Sequence, residues 1–163
     1  MPQTMISIRE AQPDDLPAIV ALLADDPLGQ AREDPAELGA YRRAFDEIAA
    51  QAGNTILVAE IGGAVVGCLQ LTVIPGLSRR GMKRGQIEGV RIAAGQRGRK
   101  LGERLMGEAI GRARAAGCGL VQLTTDASRP DAHRFYERLG FAASHFGMKL
   151  MLGNHAPGRV ALP

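Results

Sequence analysis

The residues best suited to chemistry lie in one stretch, Gln86-Ile-Glu-Gly-Val-Arg-Ile-Ala-Ala-Gly-Gln-Arg-Gly-Arg-Lys-Leu-Gly-Glu-Arg-Leu. A strand-like segment gives way to a short basic loop with glycines, and a helical pattern follows. A helix start leaves backbone N–H groups unpaired, and the helix dipole places roughly half a positive charge there. Such an end can hold a phosphate. Gly98 and Gly102 would let the backbone approach a ligand closely. Arg97, Arg99 and Lys100 add positive charge. From the residues alone this is either a generic phosphate cradle or a basic loop that caps a helix. It lacks the Lys-Ser or Lys-Thr of a P-loop and the GxGxxG of a dinucleotide fold.

Other reactive side chains are less informative. Cys68 and Cys118 have no metal spacing and no CxxC arrangement, so they read as reduced, largely buried thiols. His133 and His145 draw notice because histidine is a common acid–base residue, but no third group or metal spacing supports either one. His133 reads as a surface residue of the last helix. No Ser-His-Asp or Cys-His set is visible.

The elements that must position the basic loop follow from periodicity and punctuation. Met5 to Glu10 alternates apolar and polar residues and predicts a strand. Asp14-Asp15 opens a helix to about Leu23, and Asp25-Asp26-Pro27 stops it. A second helix is expected from about Asp34-Pro35 to Gln51, with Pro35 suited to its first position. Thr55 to Ile61, Gly62-Gly63 and Ala64 to Val73 predict a hairpin with a two-residue glycine turn. Pro75 to Gly85 reads as a basic loop, with Arg79, Arg80, Lys83 and Arg84 its cations. Gln86 to Ala93 predicts a strand in which Gly89 marks a bulge or close approach.

Arg99 to Ala115 is the clearest helix: Leu101, Leu105, Ala109 and Ala113 recur every four residues, and Gly117 follows the end. Leu120 to Thr124 is a short strand, and Pro130 to Leu139 a helix stopped by Gly140. Phe141 to Ala143 and Met148 to Leu152 are expected as final strands. The order implies one α/β domain over 1–152, a mixed sheet with helices on its faces. The tail, 153–163, has no periodicity and reads as loose.

Length and composition agree. The 163 residues fit one domain, 45% are hydrophobic and 23% charged, and no apolar run approaches a membrane span. The N-terminus lacks a signal-peptide pattern, so a cytoplasmic protein is the expectation. Net charge is +3, unevenly spread: residues 1–60 hold 11 acids against 4 bases, and residues 75–116 hold 11 bases against 3 acids. The middle of the chain would therefore attract an anion. Nucleic acid is the competing partner, weakened by the absence of Trp and 4% aromatic content.

Arg97-Gly98-Arg99-Lys100-Leu101-Gly102 resembles the R/Q-x-x-G-x-G/A motif of the GNAT family of N-acetyltransferases. Downstream, Phe135-Tyr136-Glu137-Arg138-Leu139-Gly140-Phe141 resembles that family's F-Y-x-x-x-G-F segment, and Ile87-Glu88-Gly89-Val90 resembles the strand before its motif. The element order agrees from residue 5 to residue 152. Two positions depart from the pattern: Lys100 stands at the motif's first glycine, so its side chain must turn outward, and Arg129 stands where the family often has asparagine.

The resemblance implies a GNAT-type α/β fold with a mixed, mostly antiparallel sheet. It also implies acetyl transfer from acetyl-coenzyme A (acetyl-CoA) to a primary amine. The expected coenzyme contacts are Val90, Ile92, Arg97, Gly98, Arg99, Lys100, Leu101, Gly102, Arg129 and Phe135. Tyr136 matches a tyrosine that protonates the departing thiolate. Glu88 is a candidate base; a salt bridge to the basic loop is its alternative role. Without a covalent nucleophile set, direct attack by the amine in a ternary complex is expected. No metal, nucleic acid or membrane partner is expected, and the family's frequent homodimers suggest a second copy. A non-catalytic acyl-CoA-binding or regulatory module is the main alternative.

Overall fold

The structure, a computed structural model, describes residues 5–152; the expected loose tail at 153–163 lies outside them. The chain forms two compact units, Met1–Leu123 and Thr124–Pro163.

In the first unit, the strands β1 (Ile6–Glu10), β2 (Asn54–Ile61), β3 (Ala64–Ile74), β4 (Lys83–Ile92) and β5 (Cys118–Leu123) lie side by side in chain order. Neighbours are antiparallel except β4 and β5, which are parallel. That parallel step needs a crossover, and the helix α5 (Leu101–Ala115) supplies it. The mixed, mostly antiparallel sheet expected from the sequence is therefore present. The β2–β3 turn uses Gly62 and Gly63 at φ 58 and 83, which a two-residue hairpin turn requires.

The two sheet faces bury different stripes. Leu57, Leu69, Leu71 and Ile87 are all 3% exposed or less and belong to one face by register. The helix α5 covers that face with buried Leu101, Leu105, Met106, Ala109 and Ala113. At Gly85 a Cβ would lie only 3.0 Å from the Ala113 Cβ, so the missing side chain sets how closely α5 approaches. On the opposite face, Val58 and Cys68 pack with Ile19 and Leu22 of α1 (Leu16–Ala24). Burying each such large side chain contributes about 1.5–3 kcal/mol. Arg9 of β1 ties the start of α1 to β2 through Asp15 (2.6 Å) and Glu60 (2.7 Å). Its guanidinium holds the Asp15 carboxyl below the usual range.

Several boundaries differ from expectation. Pro27 starts a helix instead of ending one: the Asp26 Oδ1 accepts from the Gly29 N–H and caps α2 (Pro27–Arg32). The helix α3 (Leu38–Ala50) begins three residues later than Pro35 suggests. The basic loop is shorter than read. It contains one turn, α4 (Ser78–Gly81), in which Arg79 and Arg80 both adopt positive φ. Lys83 and Arg84 belong to β4, because they pair with Cys118 and Leu120 of β5.

In the second unit, α6 (Pro130–Arg138) starts on Pro130 and is followed by Gly140 at φ 92. The final strands expected at 141–143 and 148–152 are not formed. Phe146, Met148, Leu150 and Leu152 alternate as a strand would, yet each is at least 77% exposed. A strand needs a partner for its backbone groups, and these residues have none among those described. No helix among the described residues is long and apolar enough to cross a membrane.

Candidate functional site

The centre of the site is a break in β4. Gln70 pairs with Glu88 and Cys68 with Arg91, so Gly89 and Val90 together oppose Leu69. Gly89 takes φ 61, the backbone of a bulge. The Cys68 thiol donates to the Gly89 carbonyl at 3.7 Å. Burial pushes that thiol up to about 12, so it stays protonated and inert at neutral pH. Parallel pairing with β5 ends at Ile87 and Leu123, and β4 continues alone to Ile92. Glu88 to Ile92 therefore project beyond β5, paired to β3 on one side only. Val90 and Ile92 on this projection are half-buried.

From Ile92 the chain turns through Ala94–Gln96 into the start of α5. Arg97 Nε donates to the Ile92 carbonyl (3.2 Å), and Arg99 Nη1 donates to Gln96 Oε1 (2.7 Å). Gly98 and Lys100 take φ 76 and 59. The first helical bond runs from Arg104 N to Lys100 O at 3.1 Å. The N–H groups of Leu101, Gly102 and Glu103 thus precede the ladder, and no side chain caps them. Gly98 has open space where a Cβ would stand, and Arg97, Arg99 and Lys100 are exposed. Free donors, an open approach and three cations fit a pyrophosphate.

Lys100 occupies a conformation that costs a side chain roughly 1–2 kcal/mol. Glycine would relieve that strain but lose part of the gain to its freer unfolded chain. Lys100→Gly is expected to raise stability by about 0.5–1 kcal/mol, read from urea unfolding at an unchanged slope.

Polar residues that the sequence reading did not single out continue the face of Glu88 and Arg84 across the sheet. By register, Asn54 of β2, Gln70 and Thr72 of β3, Arg84, Gln86 and Glu88 of β4, and Gln122 of β5 share the α1 face. Asn54 Oδ1 accepts from Gln70 Nε2 (2.9 Å) and Thr72 Oγ1 (3.1 Å). Gln122 Nε2 donates to Gln86 Oε1 at 2.8 Å. Antiparallel sheets commonly leave part of one face polar and open to solvent, and here that polar row runs beside the bulge. Glu88 is exposed and forms no ion pair among the described residues, so its alternative salt bridge to the basic loop is absent. The alternation Arg84-x-Gln86-x-Glu88 was visible, but its face was not.

The remaining candidates lie in the second unit. Arg129 is the residue before α6, and its carbonyl accepts from the N–H groups of Ala132 and His133. Tyr136 sits edge-to-face between Phe135 (5.2 Å) and Phe141 (5.9 Å). These contacts fix the phenol ring. His133 is half-buried, with Nε2 3.0 Å from the Asp126 carbonyl, which is a structural bond. The first unit thus gathers Glu88, Val90, Ile92 and Arg97 to Gly102 on one strand–turn–helix, while Phe135 and Tyr136 share α6 and Arg129 immediately precedes it. A separate groove is lined by Asn54, Leu71, Val73, Ala115 and the Glu10–Arg112 ion pair. It lies toward the other end of α5 from the glycine turn and offers no reactive set.

Among the described residues no three metal-ligating side chains cluster. The Acetyltransferase (GNAT) family profile matches residues 16–141. A transcriptional regulator from Bacillus halodurans C-125 shares the fold at TM-score 0.87 and 47% identity, over 91% of this chain and 100% of that one. Aminoalkylphosphonate N-acetyltransferase from Salmonella typhimurium is 44% identical over 62 residues, 38% of this chain and 40% of the relative. Glucosamine 6-phosphate N-acetyltransferase 1 from Oryza sativa subsp. japonica is 34% identical over 116 residues, 68% of this chain and 67% of the relative.

Proposed function

Because the chain belongs to the GNAT acetyltransferase family, we propose that it moves an acetyl group from acetyl-CoA to a primary amine by direct attack in a ternary complex. One observation carries this reading: a bulged β4 projects past β5 and leads through a short glycine-containing turn into a helix start with no side-chain cap. Residues 1–152 form the transferase domain in this proposal.

When bound, acetyl-CoA supplies an activated thioester. The N–H groups of Leu101, Gly102 and Glu103, with Gly98 and the cations of Arg97, Arg99 and Lys100, hold its pyrophosphate. Val90 and Ile92 line the thioester arm, and the backbone of the projecting strand polarises the acetyl carbonyl. Phe135 and Arg129 contact the coenzyme from the last helix. Glu88 accepts a proton from the amine, directly or through one water, which frees the nitrogen lone pair. The nitrogen then bonds to the acetyl carbon as the carbon–sulfur bond breaks. Tyr136 donates its phenolic proton to the departing thiolate, and the second proton lost by the acylated nitrogen returns to the phenolate directly or through water. Cys68 is buried and held as a thiol, which does not suit it to carry an acyl group.

The acceptor is proposed to be small and polar. Both N-acetyltransferase relatives are named for amines that also carry a phosphonate or a phosphate. A second reading draws on the Bacillus halodurans relative, a transcriptional regulator. In that reading the chain binds an acyl-CoA without turnover. Calorimetric titration tests the shared premise. Micromolar binding of acetyl-CoA supports both readings, and no binding overturns both.

A further inference from the structure

We infer that Arg84 is the specificity-determining residue of the acceptor site, binding an anionic group on the amine that Glu88 receives. The inference rests on the acetyl-transfer reading and adds the acceptor's chemical class to it.

Arg84 is a cation without an ionic partner among the described residues. Arg84 lies on β4 between Ile74 of β3 and Leu120 of β5. Its side chain is half-buried, and its Nε is sealed from solvent without a hydrogen bond. No carboxylate pairs with it among the described residues. A guanidinium has five donors and no acceptor, so burying it unsatisfied is costly. The other half-buried arginines of this unit have acids: Arg9 has Asp15 and Glu60, Arg91 has Asp26, and Arg112 has Glu10 and Glu108. Arg84 differs in being held ready without one.

Its neighbours say what it is ready for. Four residues along the same face, Glu88 is exposed and also unpaired. At about 3.3 Å per residue the two positions are ~13 Å apart. Between them the face carries only neutral hydrogen-bonding groups: Gln70, Thr72, Gln86 and Gln122. A cation at one end, a carboxylate at the other and amides between them complement a zwitterion with a short polar spacer. The ammonium end belongs at Glu88, beside the bulge where the thioester arm runs. The anion belongs at Arg84, whose planar fork suits the paired oxygens of a phosphonate, phosphate or carboxylate.

The test compares three amines of equal chain length, bearing a terminal phosphonate, a terminal carboxylate or no charge, with the full chain and acetyl-CoA. The unaltered enzyme should favour the anionic amines, and the phosphonate over the carboxylate if the tetrahedral anion is the true class. Arg84→Gln should lower kcat/KM for the preferred anionic amine about 30-fold, mainly through KM. The neutral amine should change less than about twofold, with acetyl-CoA affinity and Tm retained. Arg84→Lys should recover only part of the loss. Equal losses on all three amines would make Arg84 structural, and no loss on any would remove its role. If no amine is acetylated at all, the transfer reading fails by itself. Titration of the phosphonate amine into the coenzyme A complex then decides the inference: binding that Arg84→Gln abolishes sustains it, and absent or unaltered binding overturns it.

Discussion

Tyr136→Phe is expected to lower kcat at least 100-fold while leaving acetyl-CoA affinity within about twofold. The substitution removes one oxygen and its proton. The ring stays, and with it the edge-to-face contacts to Phe135 and Phe141 that hold α6 against the Gly140 turn. Binding and folding should therefore survive, and only proton delivery to the thiolate should suffer. Single-turnover measurement is the proper readout, because slow product release would hide part of the loss in steady state. Synthetic acetyl thioester donors with a more acidic thiol should be affected less, since such a thiolate needs less help. An unchanged single-turnover rate would assign Tyr136 to packing and leave the acid unidentified.

Gly102→Glu should weaken acetyl-CoA binding at least 100-fold without weakening the fold. Gly102 is the second residue of α5 and one of three whose N–H groups precede the helical ladder. A carboxylate there would face the pyrophosphate at close range, where like charges repel strongly. Two electrostatic effects then have opposite signs. The same carboxylate favours the helix start through the dipole, and Glu is a better helix former than Gly, by roughly 0.5–1 kcal/mol. The variant should thus keep or raise its Tm while losing the ligand. A variant that lost both would report damage to the helix, and retained binding would move the cradle elsewhere.

Elements with strong local signals were legible in the sequence. The Gly62-Gly63 hairpin, the four-residue repeat of α5 and the Pro130 start all carry their causes within a few residues. The cradle was legible for the same reason, since glycines, cations and a helix start sit together. The bulge was legible at Gly89 as a position but not as a geometry, because its register is set by β3. Arg84 was misread as part of a loop. Its strand membership comes from pairing with Leu120, thirty-six residues downstream. The polar row was hidden for the same reason: four strands contribute to it, and only their registers reveal a shared face. The final strands failed in the opposite direction. Their alternation is genuine, but alternation states a preference, and pairing is settled by whether a partner edge is present.

The charge asymmetry that suggested a nucleic-acid surface also looks different in three dimensions. Arg91 and Arg112 of the basic segment are engaged by Asp26, Glu10 and Glu108. Two acids of the N-terminal segment, Asp26 and Glu10, thereby pair with the basic middle, and Arg97, Arg99 and Lys100 stay exposed at the α5 start.

Acetyl transfer itself is tested by release of coenzyme A thiol from acetyl-CoA as primary amines are added to the purified chain. Thiol release should depend on the amine, be matched one for one by N-acetylated product and be abolished by Gly102→Glu. Acetyl-CoA binding with no amine raising thiol release above the rate in water would contradict it, and would leave the chain as a coenzyme-binding module.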